Sequence, residues 1–448
     1  MNSIILEPQG FAWEKDYFNK LVSLKEAAAV VKSGDHVAVA QASSAAKQLI
    51  NALCARKDEL EDVEVYGGNF FEPFALLRGE FKGHLNFHTF FMQGYERNFL
   101  KEGNIDVSSI PVRELDYWYK DVAKLNVALL EVSPPNKDGY MSVGPAGGQH
   151  TPHLVDAATT VIVCVNKQVP FVNGIKGALI PVSEVDYIAE ADDPMFSIVY
   201  PPASEIELRM GKFIADKIHD GDCIQVGIGG VANAICDCLL DKNDLGLHSE
   251  MISDGVMKLF KNGNLTGKRK QIDVGLMPTG GGIGTPELFK WMSDTPELIL
   301  TPGTYVNDPI VIAQNNNQVS INSAIMIDLT GQLCAENYGY GQFSGIGGHL
   351  DFAIGASLSK GGKSFITMPS INKDKKTSVV SSKIVSVLPP GAAVTTPRAL
   401  AQYIVTEYGI VNLKCRSLSE RAKLMISIAH PDFRDQLTQE AKDIGLIK

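Results

Sequence analysis

Two stretches of the chain are apolar or β-branched at nearly every position: Thr160-Val161-Ile162-Val163-Cys164-Val165 and Ile384-Val385-Ser386-Val387-Leu388. Runs of this length suit strands buried on both faces, as in parallel or mixed sheets covered by helices. Elsewhere, helix-period segments alternate with short strands. Residues 27–31 read as the end of a helix, Gly34-Asp35 as a turn and residues 37–40 as a strand. A loop of small residues, 41–46, then opens an apolar-periodic helix over 47–53. The same order recurs later: a helix ending near Ile218, a turn at Gly221-Asp222, a strand over 223–226, the loop Gly227-Ile228-Gly229-Gly230 and a helix over 231–240.

A second echo follows at nearly the same offset. Residues 126–132 read as a strand ahead of a turn at Asp138-Gly139, and residues 322–328 as a strand ahead of Thr330-Gly331. Two echoes in the same order imply two related α/β halves. The segment from Asp192-Asp193-Pro194 to Pro201-Pro202-Ala203-Ser204 is the expected linker, because adjacent prolines disfavour helix and mark exposed boundaries. The expected domains are therefore 1–200 and 205–448, with residues 397–448 mainly surface helices.

Composition narrows the function classes. With 448 residues, 45% hydrophobic and 21% charged, the chain has ample core for two or three domains. A net charge of −10 argues against a nucleic-acid or membrane-surface binder, since both partners are polyanionic. There is no run of about 20 apolar residues to span a bilayer. The N-terminal residues lack the basic and apolar regions of a secretion signal. Seven scattered cysteines fit reduced thiols in the cytoplasm. His150-Thr151-Pro152-His153 lacks a third ligand at metalloenzyme spacing, so no metal is expected.

Two glycine-rich turns could carry chemistry. Gly227, Gly229 and Gly230 follow a strand and open a helix, where unpaired backbone N–H groups are available to an anion or oxyanion. The spacing Gly227-x-Gly229-x-x-Ala232 also satisfies a loose dinucleotide fingerprint, but no clear acidic strand end follows. A tight turn without a ligand is the plain alternative. Gly345, Gly347 and Gly348 form the second cluster, ahead of a helix expected over 353–358. Lys360 and Lys363 beyond it read more naturally as solvated turn lysines than as phosphate ligands. Glu250, in His248-Ser249-Glu250-Met251-Ile252-Ser253-Asp254-Gly255, is on composition alone a surface or capping carboxylate. Ser249 or Ser253 could cap the helix that follows. In a dry pocket beside backbone donors, however, Glu250 could attack a thioester. Asn322 lies in an apolar strand and needs partners; it either holds a loop or donates its amide to a reacting carboxyl.

Taken together, these segments resemble the family I CoA-transferases, in the acetyl-CoA hydrolase/transferase branch that includes 4-hydroxybutyrate and butyryl-CoA:acetate CoA-transferases. The likeness covers nearly the whole chain. It rests on the Glu250 segment, on Gln342-Phe343-Ser344-Gly345-Ile346-Gly347-Gly348, on Val405-Thr406-Glu407-Tyr408-Gly409-Ile410-Val411, on Ile428-Ala429-His430-Pro431-Asp432-Phe433 and on Val182-Ser183-Glu184-Val185-Asp186. The resemblance implies two similar α/β domains with mixed or parallel sheets under helices and an active site between them. It implies Glu250 as the catalytic glutamate and Asn322 as a ligand of the acyl or carboxylate oxygen. Gly347 and Gly348 would contact the acyl-CoA and the oxyanion, and Gly227 to Gly230 would line the CoA site. It implies a cytoplasmic homodimer with no permanently bound cofactor and coenzyme A thioester as substrate, exchanging CoA between a short-chain acyl-CoA and a carboxylate such as acetate. Three places depart from the family pattern: 41–46 lacks an expected proline, 278–284 is richer in glycine, and His349 stands where Gln is more usual. Each could shape acyl specificity.

Overall fold

The computed structural model describes residues 3–175, 177–374 and 377–448. The chain divides into two compact units, one of residues 1–199 with 278–306 and the other of residues 200–277 with 307–448. The expected break near residue 200 is present. The second half is not continuous, however, because 278–306 belongs with the first unit.

The first unit is built on a seven-stranded sheet in the order Ile105–Val107, Leu85–Thr89, Val63–Gly67, His36–Val39, Val127–Val132, Thr160–Asn166 and Tyr187–Ala191. Every neighbouring pair is parallel. The strand order reverses beside His36–Val39, which makes a doubly wound α/β sheet. All six residues of Val127–Val132 are buried, as are all but the first of Thr160–Asn166. This is the both-faces burial the apolar run at 160–165 requires. Helix Lys47–Cys54 packs Leu49, Ile50 and Leu53 into the same core as Val37, Val39, Val65 and Phe87. Each such side chain contributes roughly 1.5–3 kcal/mol by leaving water. The glycine-rich strand Met277–Gly282 has a packing role: backbone bonds run from Gln149 N–H to the Gly280 carbonyl (2.8 Å) and from Gly282 N–H to the Pro145 carbonyl (2.7 Å).

The second unit repeats the plan with six strands, in the order Gly246–Leu247, Cys223–Val226, Gln318–Ser323, Lys363–Thr367, Tyr403–Thr406 and Gly409–Asn412. All neighbours are parallel except the last pair, an antiparallel hairpin. The order reverses between Cys223–Val226 and Gln318–Ser323. The first echo thus marks the strand before the reversal in both units; the second marks the strand after it in the first unit and overlaps only the last two residues of Gln318–Ser323 in the second. At the opposite edge, Lys363 Nζ meets Asp222 Oδ2 at 2.8 Å, so this lysine is a structural ion pair and not a solvated turn residue.

Four expectations need correction. The strand expected over 322–328 is two separate pieces: Gln318–Ser323 is central, and Met326–Asp328 belongs to a small sheet with Leu333–Cys334 and Ile384–Val385. The apolar run at 384–388 supplies only the two-residue strand Ile384–Val385, and Val387 is exposed. The run was too short to distinguish a central strand from an edge bridge. Residues 397–448 are not mainly helical at their start, since the hairpin Tyr403–Thr406/Gly409–Asn412 precedes helices Leu418–Ser427 and Pro431–Asp443. The β-branched Ile404-Val405-Thr406 explains the strand. Finally, the helix after Glu250 is not capped by Ser249 or Ser253: neither makes the side-chain bond, and Asn233 Oδ1 accepts from Gly255 N–H (3.0 Å) and from Ser253 Oγ (2.8 Å).

Candidate active site

The five parallel strands of the second unit point their carboxyl ends the same way, and an open α/β sheet offers its ligand crevice where the order reverses. The turn Gly227–Gly230 leaves the strand Cys223–Val226 at that point. Val226 is paired with Ile321, so the turn begins beside Asn322. Gly229 caps the helix Gly230–Asp237 with φ of 100°, a conformation that glycine adopts without strain. Nothing lies within 4 Å of the position a Cβ would take at Gly227. At Gly230 that position is 2.6 Å from Glu207 Oε1, so a carboxylate already stands against this end of the turn. The next strand, Gly246–Leu247, is followed by His248 and Ser249. The acidic side chain that a dinucleotide site needs at this strand end is absent there.

Glu250 is the second residue of the short strand Ser249–Ile252. It is the only half-buried residue there, the other three being buried. Ser249 Oγ donates to the Met251 carbonyl (2.8 Å) and reaches the Val226 carbonyl at 3.2 Å. These bonds tie the Glu250 backbone to the end of strand Cys223–Val226. Asn233 in turn links the glycine-turn helix to the segment just after Glu250.

The carboxylate of Glu250 lies directly on Gly348. A Cβ at position 348 would fall 1.5 Å from Glu250 Oε2, 2.2 Å from Asn307 Nδ2 and 2.7 Å from Glu250 Cδ. Only a residue without a side chain fits. Gly348 is also the N-cap of helix His349–Leu358, whose unpaired N–H groups and dipole favour a negative charge. Asn307 Nδ2 donates to Glu250 Oε2 at 2.8 Å. Asn307 is fully buried, and its Oδ1 is a buried atom without a partner among the described residues. One oxygen of the carboxylate is thereby fixed, and the glycine loop lies beneath it.

The helix begins four residues earlier than the pattern suggested, at His349, because Gly348 supplies the cap. Gly347, with φ of 59°, makes the tight bend before it. Gly345 and Gly347 are buried in the loop that leads there. Asn322 sits next to last in its strand. Its Nδ2 donates to Ser320 Oγ (2.9 Å) and Gln225 Oε1 (3.2 Å). The amide that meets Glu250 is therefore that of Asn307, and the amide of Asn322 is held by its own strand neighbours. Sequence reasoning missed Asn307; Val306-Asn307-Asp308-Pro309 reads only as a turn into a helix. His349 is buried beside Gly348 and hydrogen-bonds the Ser323 backbone. Burial pushes its imidazole down to about 4 against the opposing pull of that bond, so the ring is neutral.

Two family descriptions match this chain: the acetyl-CoA hydrolase/transferase N-terminal domain over residues 8–200 and the C-terminal domain of the same family over residues 284–441. The chain belongs to the acetyl-CoA hydrolase/transferase family of CoA-transferase enzymes. Full-length likenesses agree. A 4-hydroxybutyrate coenzyme A transferase of Clostridium kluyveri is 37% identical over 436 residues, covering 96% of this chain and 99% of that protein. A succinyl-CoA:cyclohexane-1-carboxylate CoA transferase of Geobacter metallireducens is 36% identical, covering 97% and 98%. Among solved structures, RipA from Yersinia pestis superposes with a TM-score of 0.89 at 34% identity, covering 97% of this chain and all of that one. Of the segments quoted from the sequence, residues 182–186 fall in the first matched region and 342–348, 405–411 and 428–433 in the second, whereas the Glu250 segment lies between the two.

Proposed function

We propose that this CoA-transferase moves CoA between a short-chain acyl-CoA and a carboxylate such as acetate, with Glu250 as the covalent relay. The observation that carries this reading is the seat of Glu250: a half-buried carboxylate against the N-terminus of a ten-residue helix, with one oxygen held by Asn307.

In the first step an oxygen of the Glu250 carboxylate attacks the thioester carbonyl carbon. The C–S bond breaks, CoA leaves as the thiolate and an acyl-glutamyl anhydride remains. The thiolate then attacks Cδ of Glu250. The free acid leaves as its carboxylate, and a glutamyl-CoA thioester is formed. The incoming carboxylate attacks Cδ in turn, releasing thiolate, which then attacks the new acyl carbonyl and regenerates Glu250. Charge balances at each stage and no external base is required, because the nucleophile is already ionised. Asn307 orients the attacking carboxylate. The backbone N–H groups around Gly347 and Gly348 supply oxyanion stabilisation. The turn at Gly227, Gly229 and Gly230, beside Asn322, binds the acyl-CoA at the reversal of the sheet, with Gly345 shaping the second loop.

Incubation with acyl-CoA and borohydride, followed by mass spectrometry, tests the scheme. The peptide containing Glu250 is expected to carry the reduced glutamyl thioester; a reduced adduct elsewhere, or none during active exchange, would rule the relay out. The family name also covers hydrolases. That reading is separated by rate: a transferase consumes acyl-CoA only with acetate present, and a hydrolase at the same rate without it.

A further inference from the structure

Coenzyme A carries several phosphate charges, and this chain has a net charge of −10. Holding such a ligand requires positive charge placed locally at the ligand edge. In sequence, residues 371–383 have four lysines against one aspartate. At the carboxyl edge of the second unit's sheet, strand Lys363–Thr367 runs out through Ser370 into the antiparallel hairpin Ile371–Lys373/Val380–Ser382, which ends at Lys383. The Lys383 backbone is pinned there: its N–H donates to the Ser370 carbonyl (2.9 Å), and its carbonyl accepts from Ile327 N–H (3.0 Å). Lys383 is half-buried. Its Nζ is open to solvent and makes neither a hydrogen bond nor an ion pair among the described residues. The carboxylate that acts on it is Glu407, just after the neighbouring strand Tyr403–Thr406. Both oxygens of that group are engaged elsewhere: Oε2 accepts from Ser370 N–H (2.8 Å) and Oε1 from Ser370 Oγ (2.6 Å). Burial holds the Lys383 ammonium below the ordinary lysine range, against the pull of Glu407. A partly desolvated charge without a partner costs free energy. At the amino end of strand Lys363–Thr367, Lys363 has its partner in Asp222; at the carboxyl end Lys383 has none.

We propose that Lys383 is a CoA-binding residue whose ammonium pairs with a phosphate group of the coenzyme, either the diphosphate or the 3′-phosphate. The proposal rests on the CoA-transfer reading above. A lysine is a compact point charge suited to a phosphate oxygen, and such an oxygen would supply the partner that the folded chain does not. The position allows it. Ile327, bonded to Lys383, lies five residues beyond Asn322, at most about 18 Å along the chain. An extended pantetheine arm covers that span, so a thioester at the reversal of the sheet leaves the phosphate end near Lys383. The contact is remote from the reacting atoms and is the same in ground and transition states. It therefore belongs to KM and not to kcat.

The experiment compares the unsubstituted protein with Lys383→Met and Lys383→Arg, all with acetate as acceptor. Three donors are used: butyryl-CoA, butyryl-dephospho-CoA (no 3′-phosphate) and butyryl-pantetheine (no phosphate), the last at the higher concentrations it needs. Lys383→Met is expected to raise KM for butyryl-CoA about tenfold with kcat unchanged, the size of one charge-assisted hydrogen bond. Butyryl-pantetheine should not distinguish the variants. A loss that persists on the dephospho donor assigns the diphosphate, and a loss that vanishes there assigns the 3′-phosphate. Lys383→Arg, which keeps the charge, should recover most of the loss. The KM of Lys383→Met for butyryl-CoA should also rise less steeply with salt than that of the unsubstituted protein, because one charge pair is gone. Methionine removes a partly desolvated charge at similar volume, so a thermal melt should show the fold intact. Equal loss on butyryl-pantetheine, a loss confined to kcat, or a loss that Arg does not recover would reduce Lys383 to a structural residue and overturn the assignment. So would unchanged kinetics throughout. If the unsubstituted protein exchanges CoA with none of the donors, the transfer reading fails and this assignment fails with it. Normal exchange with indifferent variants removes Lys383 alone.

Discussion

Replacing Gly348 by Ala tests the seat of Glu250 with a single methyl group. The added carbon would lie 1.5 Å from Glu250 Oε2 and 2.2 Å from Asn307 Nδ2. Unbonded heavy atoms settle near 3.5 Å, so the carboxylate must retreat by about 2 Å. Asn307 is displaced by the same methyl, so it cannot follow, and the 2.8 Å bond between them breaks. A 1 Å misplacement of a reacting group can cost ~100-fold in rate. The expected loss in kcat/KM is therefore at least about 100-fold, equivalent to ~3 kcal/mol of transition-state stabilisation. The backbone at 348 has φ of −90° and ψ of 2°, accessible to alanine, and the glycine-to-alanine change at an N-cap costs only about 1 kcal/mol. The fold should survive, and the melting midpoint should fall by no more than a few degrees. The assay is CoA exchange between butyryl-CoA and acetate, run beside a thermal melt. A folded Gly348→Ala protein retaining about a third or more of its kcat/KM would refute the packing argument.

Asn307→Ala should lower kcat by roughly 10- to 100-fold, because it removes the donor that fixes Glu250 Oε2; unchanged kcat in steady-state exchange would show that the carboxylate is oriented by other groups. Burial pushes the Glu131 carboxyl up to about 8, against the Asn166 bond that lowers it. The folded chain thus keeps a proton that the unfolded chain releases near pH 4.3, and stability present in acid is lost as pH rises towards 8. Glu131→Gln imitates the protonated form and keeps an oxygen for Asn166, so its gain in melting midpoint should grow from pH 5 to pH 8; an equal difference at both values would contradict the assignment. Lys363→Met leaves Asp222 buried without its cation and should destabilise the protein by roughly 3–5 kcal/mol. Adding Asp222→Asn should recover part of that loss in denaturant titrations.

Much of the second unit was legible because its signals are local. The Gly-Asp turn, the strand over 223–226 and the glycine turn each depend on neighbours in sequence, and the repeat of that order in the first unit pointed to two related sheets. The pairing of Glu250 with Gly348 was partly legible, since both stand in distinctive segments. Asn307 was not, because nothing in its surroundings marks it. Its partner is 57 positions away, and a buried amide acquires meaning only when the fold brings a carboxylate to it. Asn322 was singled out on sound grounds as a polar residue in an apolar strand. Its partners Gln225 and Ser320 answer that need within the sheet, so burial alone did not reveal which asparagine reaches the carboxylate. The capping of the helix after Glu250 was missed for a similar reason. Serine is a good cap by type, but Asn233, from another helix, takes the bond.

Residues 278–306 complete the first unit, although Glu250 and Asn307 on either side of them belong to the second. The polypeptide therefore passes from one unit to the other three times. A gene cut near residue 200 would not yield two self-sufficient fragments. The later piece would carry an unhoused segment with Leu288, Phe289, Trp291 and Met292, side chains that are buried in the intact protein. It would be sticky and prone to aggregate, and the earlier piece would lack part of its own interior. Attempts to express the halves separately should instead exchange this stretch, joining it to residues 1–199 and bridging Met277 to Asn307 with a short flexible linker.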